Sequence, residues 1–293
     1  MTTEHPTSLP ANSSTDDQRE LGHEFISGLG MPPVEFVHLA CELGSRAVSV
    51  SPRPLRKQNP YGLPAWSLRT DTVLRRALRG AVEGTGIRIT TGEYFLAGLG
   101  RDLEDRAADM DVMCDIGAER LVLINLENDP ACASGQCARF VEMTTARGVG
   151  ALLEYLPGDS AISNLSSALN AVCATGSPDF RVVVDAMHFY SSGSSAAELA
   201  AADPSRIGHV QLCDLPPQTT AASADYGRQA LNDRLPPGQG HLPLADFVAG
   251  VPRGATIGLE LPMMSEARIG TSVAGILAPA VGTSRRLLAT VKQ

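Results

Sequence analysis

Several apolar, strand-like runs of this chain end on a side chain that can bind a metal or move a proton. The run LLEY (152–155) carries Glu154. VVVDAMH (182–188) carries Asp185 and, three residues later, His188. HVQLCD (209–214) carries Gln211 and Asp214, and GLELP (258–262) carries Glu260. Earlier in the chain, IRITTGEYF (87–95) carries Glu93. A carboxylate inside an apolar run is costly to bury unless it is paired or coordinated. A single one could be a helix cap or the partner of an arginine. Three carboxylates and an amide on four consecutive runs form a pattern. If they converge, their like charges repel strongly unless a cation lies between them. Glu154, Asp185, Gln211 and Glu260 offer an oxygen-only set, which favours one hard divalent ion, Mg2+ or Mn2+, over a thiolate-type zinc site. Zn2+ and Co2+ stay open.

Something must bring those runs to one place. From about residue 22 the chain alternates short β-type runs with helical stretches, and it does so eight times. The β-type runs fall at 23–27, 47–51, 87–95, 120–126, 151–156, 181–188, 207–214 and 256–262. They are continuously apolar, as strands of a helix-covered parallel sheet are. Gly44, Gly86, Gly117, Gly148 and Gly176 each follow a helical stretch, where a left-handed residue closes a helix. Eight alternating units predict a (β/α)8 TIM barrel over residues 21–293. The rival is a doubly wound open sheet, which usually carries a Gly-rich phosphate turn after its first strand. Here that turn reads ISGLGMPP, with no G-x-G-x-x-G spacing. In a barrel, catalytic groups sit at the C-terminal strand ends, where the acids above fall. The long connection 215–242 rises from the same face, and long connections of this kind are often functional.

The bulk properties fit one such domain. The chain has 293 residues, 43% of them hydrophobic, close to the size of a typical barrel. Its net charge of −8 argues against a nucleic-acid partner. Residues 1–20 are polar and rich in Ser, Thr and Pro, and read as a flexible tail without a secretory apolar region. No apolar run is long enough to span a membrane, so the expected location is cytoplasmic. The six cysteines form no C-x-x-C pair and read as small buried residues in a reducing compartment.

The segments LLEYLPG, VVVDAMHFYSSG, IGHVQLCDLPP, DRLPPGQGHLPL and GLELP together resemble the xylose-isomerase-like barrels, the group of sugar isomerases and epimerases. The resemblance covers about residues 23–290. It implies a metal held by Glu154, Asp185, Gln211 and Glu260, and a substrate contact or proton carrier at His188. It also implies proton abstraction beside a carbonyl, with the metal stabilising the enediolate that forms. In an epimerase Glu154 and Glu260 would face each other across the substrate and carry protons, so the catalytic set is Glu154, His188 and Glu260. Gln211 departs from the ketose epimerases, which place His there. It is similar to the bacterial 3-dehydroshikimate dehydratases, which share D-x-x-H, V-Q-L-x-D and R-x-x-P-G-Q-G. Their double-Arg spacing is absent: Arg228 and Arg234 are six apart, and Leu231 stands where the nearer Arg would fall.

The expected partner is therefore a small polar hydroxy ketone. Arg234 could clamp a carboxylate or phosphate of the substrate, and Glu93 could bind a hydroxyl. A surface salt bridge is the plain alternative for Arg234, and a structural role the plain one for His188. His209, two residues before Gln211, points the same way one layer deeper and reads as structural. Trp66, the single Trp, covers the substrate or packs on the rim. Three function classes stand: an isomerase or epimerase, a metal-dependent lyase, and a barrel that binds without turnover. Barrels of this type often pair, so a homodimer is kept open.

Overall fold

The computed structural model describes residues 19–55, 59–217 and 226–290. The expected tail, residues 1–20, therefore lies outside the described residues up to residue 18. Eight parallel strands close into a barrel in sequence order. They are β1 (Leu21–His23), β2 (Ala47–Val50), β3 (Arg88–Ala97), β4 (Arg120–Asn125), β5 (Gly150–Glu154), β6 (Phe180–Asp185), β7 (Ile207–Leu212) and β8 (Thr256–Leu259). Closure is explicit, because β1 pairs with both β2 and β8. That removes the open-sheet alternative.

Each strand leads into an outer helix: Pro33–Glu42, Thr72–Thr85, Ala107–Asp115, Pro130–Thr145, Leu165–Ala174, Ala196–Ala201, Leu244–Gly250 and Val273–Thr290. Their starts are encoded locally. Asp71, Asp129, Asn164 and Ser195 each accept a hydrogen bond from a backbone N–H of the first turn. The five glycines expected at helix ends all adopt left-handed φ, between 67° and 86°. The main core lies between strands and helices, where Phe36, Phe95, Phe140, Phe180 and Phe247 are fully buried. A second small cluster, Val122, Leu152 and Val183, fills the inside of the barrel. Among the described residues no helix is long and apolar enough to cross a membrane.

Three expectations shift. The first strand runs over Leu21–His23, two residues before the expected 23–27, and the chain then turns into a short 3-10 helix, Phe25–Gly28. Strand β6 ends at Asp185, and His188 lies on a new helix, Ala186–Ser191. The cysteines are free but not uniformly buried. Cys137 and Cys213 are buried, Cys41 and Cys114 are half-buried, and Cys132 and Cys173 are exposed. Their helices are apolar overall, yet these positions fall on the outer face.

Candidate active site

Strand geometry stacks the site in layers. Side chains two apart on a strand share a face, so Glu154 stands above Leu152 and Asp185 above Val183, over the inner apolar cluster. The register puts Ile124 beside Glu154, Asp185 beside Gln211, and Gln211 beside Gly258. Glu260 follows two residues beyond Gly258, its N–H donating to the Leu212 carbonyl at 3.0 Å. All four predicted ligands are thus buried at one end of the barrel.

Arg234 stands among them. One terminal nitrogen donates to Asp185 Oδ2, and the other lies 2.8 Å from Glu260 Oε1. Its Nε donates to the Ala230 carbonyl at 2.9 Å. A fully buried guanidinium between two carboxylates is a different arrangement from the substrate clamp expected of Arg234. The loop that carries it is pinned on both sides: Asp214 bridges to Leu235, and Asp233 bridges to Met263. Asp214 Oδ1 also accepts from the N–H groups of Leu215 and Leu242, and Oδ2 from that of Gly238. A Cβ at Gly240 would sit 2.3 Å from Asp214 Oδ1, so this turn needs Gly there.

His188 is placed by Asp185, which caps the helix Ala186–Ser191 by accepting the His188 N–H at 2.9 Å. Its Nδ1 pairs with the Tyr226 hydroxyl at 2.5 Å, and its Nε2 lies 3.7 Å from Glu154 Oε1. Burial, reinforced by Arg234, lowers the ring to about 4 against the pull of Asp185. The imidazole is therefore neutral at pH 7 and can accept a proton.

Glu93 reaches the site through an irregularity. The pairing of β3 with β4 shifts register between Gly92 and Phe95, and Tyr94 takes a left-handed φ of 82°. Such a bulge re-aims side chains beside functional sites, and both Glu93 and Tyr94 line the cavity. Sequence reasoning missed Glu24, just past β1. Glu24 Oε1 lies 2.8 Å from His209 Nε2, and His209 Nδ1 lies 2.6 Å from Thr256 Oγ1. Gln211 and Glu93 also hydrogen-bond to Glu24. The Glu24 carboxylate occupies the space a Cβ at Gly258 would need, 1.6 Å from its Oε1. A strand read two residues late hid this acid in the middle of a run.

The charges explain one another. Burial raises Glu154 well above the carboxylate range, with Asp185 and Glu93 adding to it. Glu260 is raised likewise by burial, although Arg234 opposes. Burial also works to raise Asp185, but Arg234 and His188 outweigh it and hold this acid below its usual value. Glu93 is raised by burial and by the hydrogen bond with Glu24.

Among the described residues, no three His, Cys, Asp or Glu side chains already stand in metal-ligating geometry. Yet two of the expected ligand oxygens, Gln211 Oε1 and Glu260 Oε2, are buried without a hydrogen-bond partner. Bare acceptor oxygens beside two further acids fit a hard divalent cation in chemistry. Over this floor opens a cavity of about 550 Å³, lined by Glu154, His188, Gln211, Arg234 and Glu260 and by loop residues beyond the strand ends. Trp66 does not line it. Its Nε1 donates to the Gly30 carbonyl, and the ring packs edge-on against Phe25.

The profile of the xylose isomerase-like TIM barrel family matches residues 37–274. No curated protein sequence matches the chain. Among solved structures, the IolI protein with a binding zinc atom aligns with a TM-score of 0.74 at 16% identity, covering 94% of this chain and 99% of that one. The probable 3-DHS dehydratase AsbF of Bacillus anthracis gives 0.69 at 15% identity over 90% of this chain and 98% of its own. D-psicose 3-epimerase of Clostridium cellulolyticum H10 gives 0.65 at 12% identity, over 92% and 99%. At these identities the likeness is one of fold.

Proposed function

The chain belongs to the xylose isomerase-like TIM barrel family, and we propose that it is a divalent-metal-dependent isomerase or epimerase of an α-hydroxy ketone. The observation that carries this reading is the pair Glu154 and Glu260. The two sit at the ends of β5 and β8, and both line one cavity. Burial raises both carboxyl groups well above their ordinary value, the direction that favours a proton carrier.

Glu154, Asp185, Gln211 and Glu260 would hold the ion. Gln211 suits that task, because its amide hydrogen-bonds to Glu24 while its Oε1 keeps no partner. When bound, Mn2+ or Mg2+ would neutralise these acids and polarise the carbonyl oxygen of the substrate; Zn2+ and Co2+ suit the same oxygens less well. Glu154 would take the proton from the carbon beside the carbonyl, and that C–H bond would break toward it. Glu260 would return a proton to the opposite face of the same carbon for epimerisation, or to the former carbonyl carbon for isomerisation, where the hydroxyl proton of the first carbon would pass to the old carbonyl oxygen and leave the new carbonyl behind. Arg234 fixes the side chains of Asp185 and Glu260. Glu93 would bind a substrate hydroxyl beside them.

A second reading is a metal-dependent dehydratase. It is favoured by His188, which is neutral, held through Nδ1 by Tyr226 and part of the cavity lining, with Nε2 3.7 Å from Glu154 Oε1. A small hydroxy-ketone partner and a cytoplasmic setting belong to both readings. The test is deuterium incorporation at the carbon beside the carbonyl of dihydroxyacetone, in D2O, with EDTA-treated protein and then with added Mn2+. Metal-dependent incorporation that Glu260→Gln abolishes supports proton transfer. Absence of any incorporation would sink it, and new ultraviolet absorbance from a conjugated product would move the reading to the lyase.

A further inference from the structure

The charged groups of the cavity named so far lie at one end. Glu154, His188, Gln211, Arg234 and Glu260 form its floor at the strand ends. Among the described residues the wall beyond them, built by the loops after the strands, is mostly carbon: Ile26, Leu55, Leu156, Pro157, Leu231 and Met264, with Tyr94 and Tyr226 adding rings that carry a hydroxyl. Leu231 is 55% exposed and Tyr94 37%, so two large side chains of this lining face outward. Asn232 is the one amide on that wall, and its side-chain NH2 already donates to the Arg228 carbonyl at 2.9 Å.

A polyol carries a hydroxyl on nearly every carbon. Each hydroxyl pressed against the carbon side chains of such a wall would lose its water partners and find no replacement in them. An alkyl or ring skeleton loses no hydrogen bond there and removes apolar area from water. Charge gives the second constraint. Among the described residues lining the cavity, Arg234 is the one cation, and both of its terminal nitrogens are engaged by Asp185 and Glu260. Among those residues a carboxylate or phosphate on the substrate finds no guanidinium or ammonium group that is not already paired.

Resting on the proton-transfer reading above, we propose that the substrate is an uncharged α-hydroxy ketone whose skeleton beyond the reacting carbons is an apolar chain or ring. A polyol sugar and a carboxylated ring are then poor ligands.

The experiment uses the full chain loaded with Mn2+ and three probes: 1-hydroxy-2-octanone, D-fructose and 3-dehydroshikimate. Binding is read by calorimetry and α-deuterium incorporation by mass spectrometry, with dihydroxyacetone as the head-group reference. The octanone is expected to bind at least about tenfold tighter than either other probe. Leu231→Ser and Leu156→Ser, each near the surface end of the wall, should weaken octanone binding roughly three- to tenfold while the thermal midpoint stays in place. Fructose or 3-dehydroshikimate binding as tightly as the octanone, or variants that leave octanone binding unchanged, would overturn the assignment. The two readings separate cleanly. If the octanone binds best but nothing incorporates deuterium, the proton-transfer reading fails and the ligand class stands. If dihydroxyacetone incorporates deuterium and fructose binds best, proton transfer stands and the ligand class fails.

Discussion

The barrel holds buried acids in both of its halves and treats them differently. In the first half, Glu24 beyond β1 and Glu93 on β3 face each other, and Glu24 is further tied to His209 and Gln211. Burial pushes both carboxyl groups up, and one oxygen of each, Glu24 Oε2 and Glu93 Oε1, keeps no hydrogen-bond partner. In the second half, Asp185 and Glu260 share the charge of Arg234, while Glu260 Oε2 and Gln211 Oε1 keep no partner. The first group is built from carboxyl, histidine and amide contacts and holds no cation, and only Glu93 of its acids reaches the cavity. The second sets its acids around a buried guanidinium, and Glu154, Gln211 and Glu260 all line the cavity. On the proposed reading the second is the working side.

The largest effect should come from the second half. On the proposed reading Glu154→Gln and Glu260→Gln each remove a proton carrier and should cut deuterium incorporation by roughly 10²–10⁴ without lowering the thermal midpoint. If either variant keeps full rate, the contrast between the halves has no catalytic meaning. Next comes Arg234→Met, which strands Asp185 and Glu260 without a cation. Breaking a buried pair this way should cost about 3–5 kcal/mol, read as a lower denaturant midpoint. Added Mn2+ should recover more of that loss in the variant than it adds to the wild type.

A pH titration probes the first half. His23 on β1 is buried with neither ring nitrogen hydrogen-bonded, and burial pushes it down to about 4 from 6.5, with Arg285 adding to the shift. Above pH 6.5 the ring is neutral whether folded or unfolded, and its stability contribution is fully present. As pH falls from 6.5 toward 4 the unfolded chain takes up a proton that the folded chain refuses. Stability should drop by roughly 3 kcal/mol over that window, and His23→Phe should flatten this acid limb in denaturant titrations. The smallest effect is expected at Glu24, which acts through Gln211. Glu24→Ala frees the amide to rotate and should weaken Mn2+ affinity about 10–100-fold, with Glu24→Gln falling between. Equal affinity in all three would show that the first half does not support the second.

How much of this was legible beforehand depends on the range of the forces involved. The barrel and its strand ends follow from local pattern, so Glu154, Asp185, Gln211 and Glu260 could be read from apolar runs broken by one polar residue. The role of Arg234 could not. Whether a loop arginine turns outward to a ligand or inward to Asp185 depends on how Asp214 and Asp233 pin the loop, and those contacts join residues distant in sequence. His188 was found by its spacing from Asp185, but placed on a strand, because the helix that starts at Ala186 is only six residues long. Glu24 was hidden by a three-residue strand whose apolar signal is too short to fix its register. Cys132 and Cys173 show the same limit: an apolar neighbourhood predicts a helix, but not which face a residue takes.

The claim on which the account turns is that the strand ends of the second half form one cation site. Electron paramagnetic resonance of a Mn2+ titration tests it directly. The account predicts one Mn2+ taken up per chain, and no uptake in the Glu154→Gln/Glu260→Gln double variant. Undiminished uptake in that variant, or none in the wild type, would contradict it.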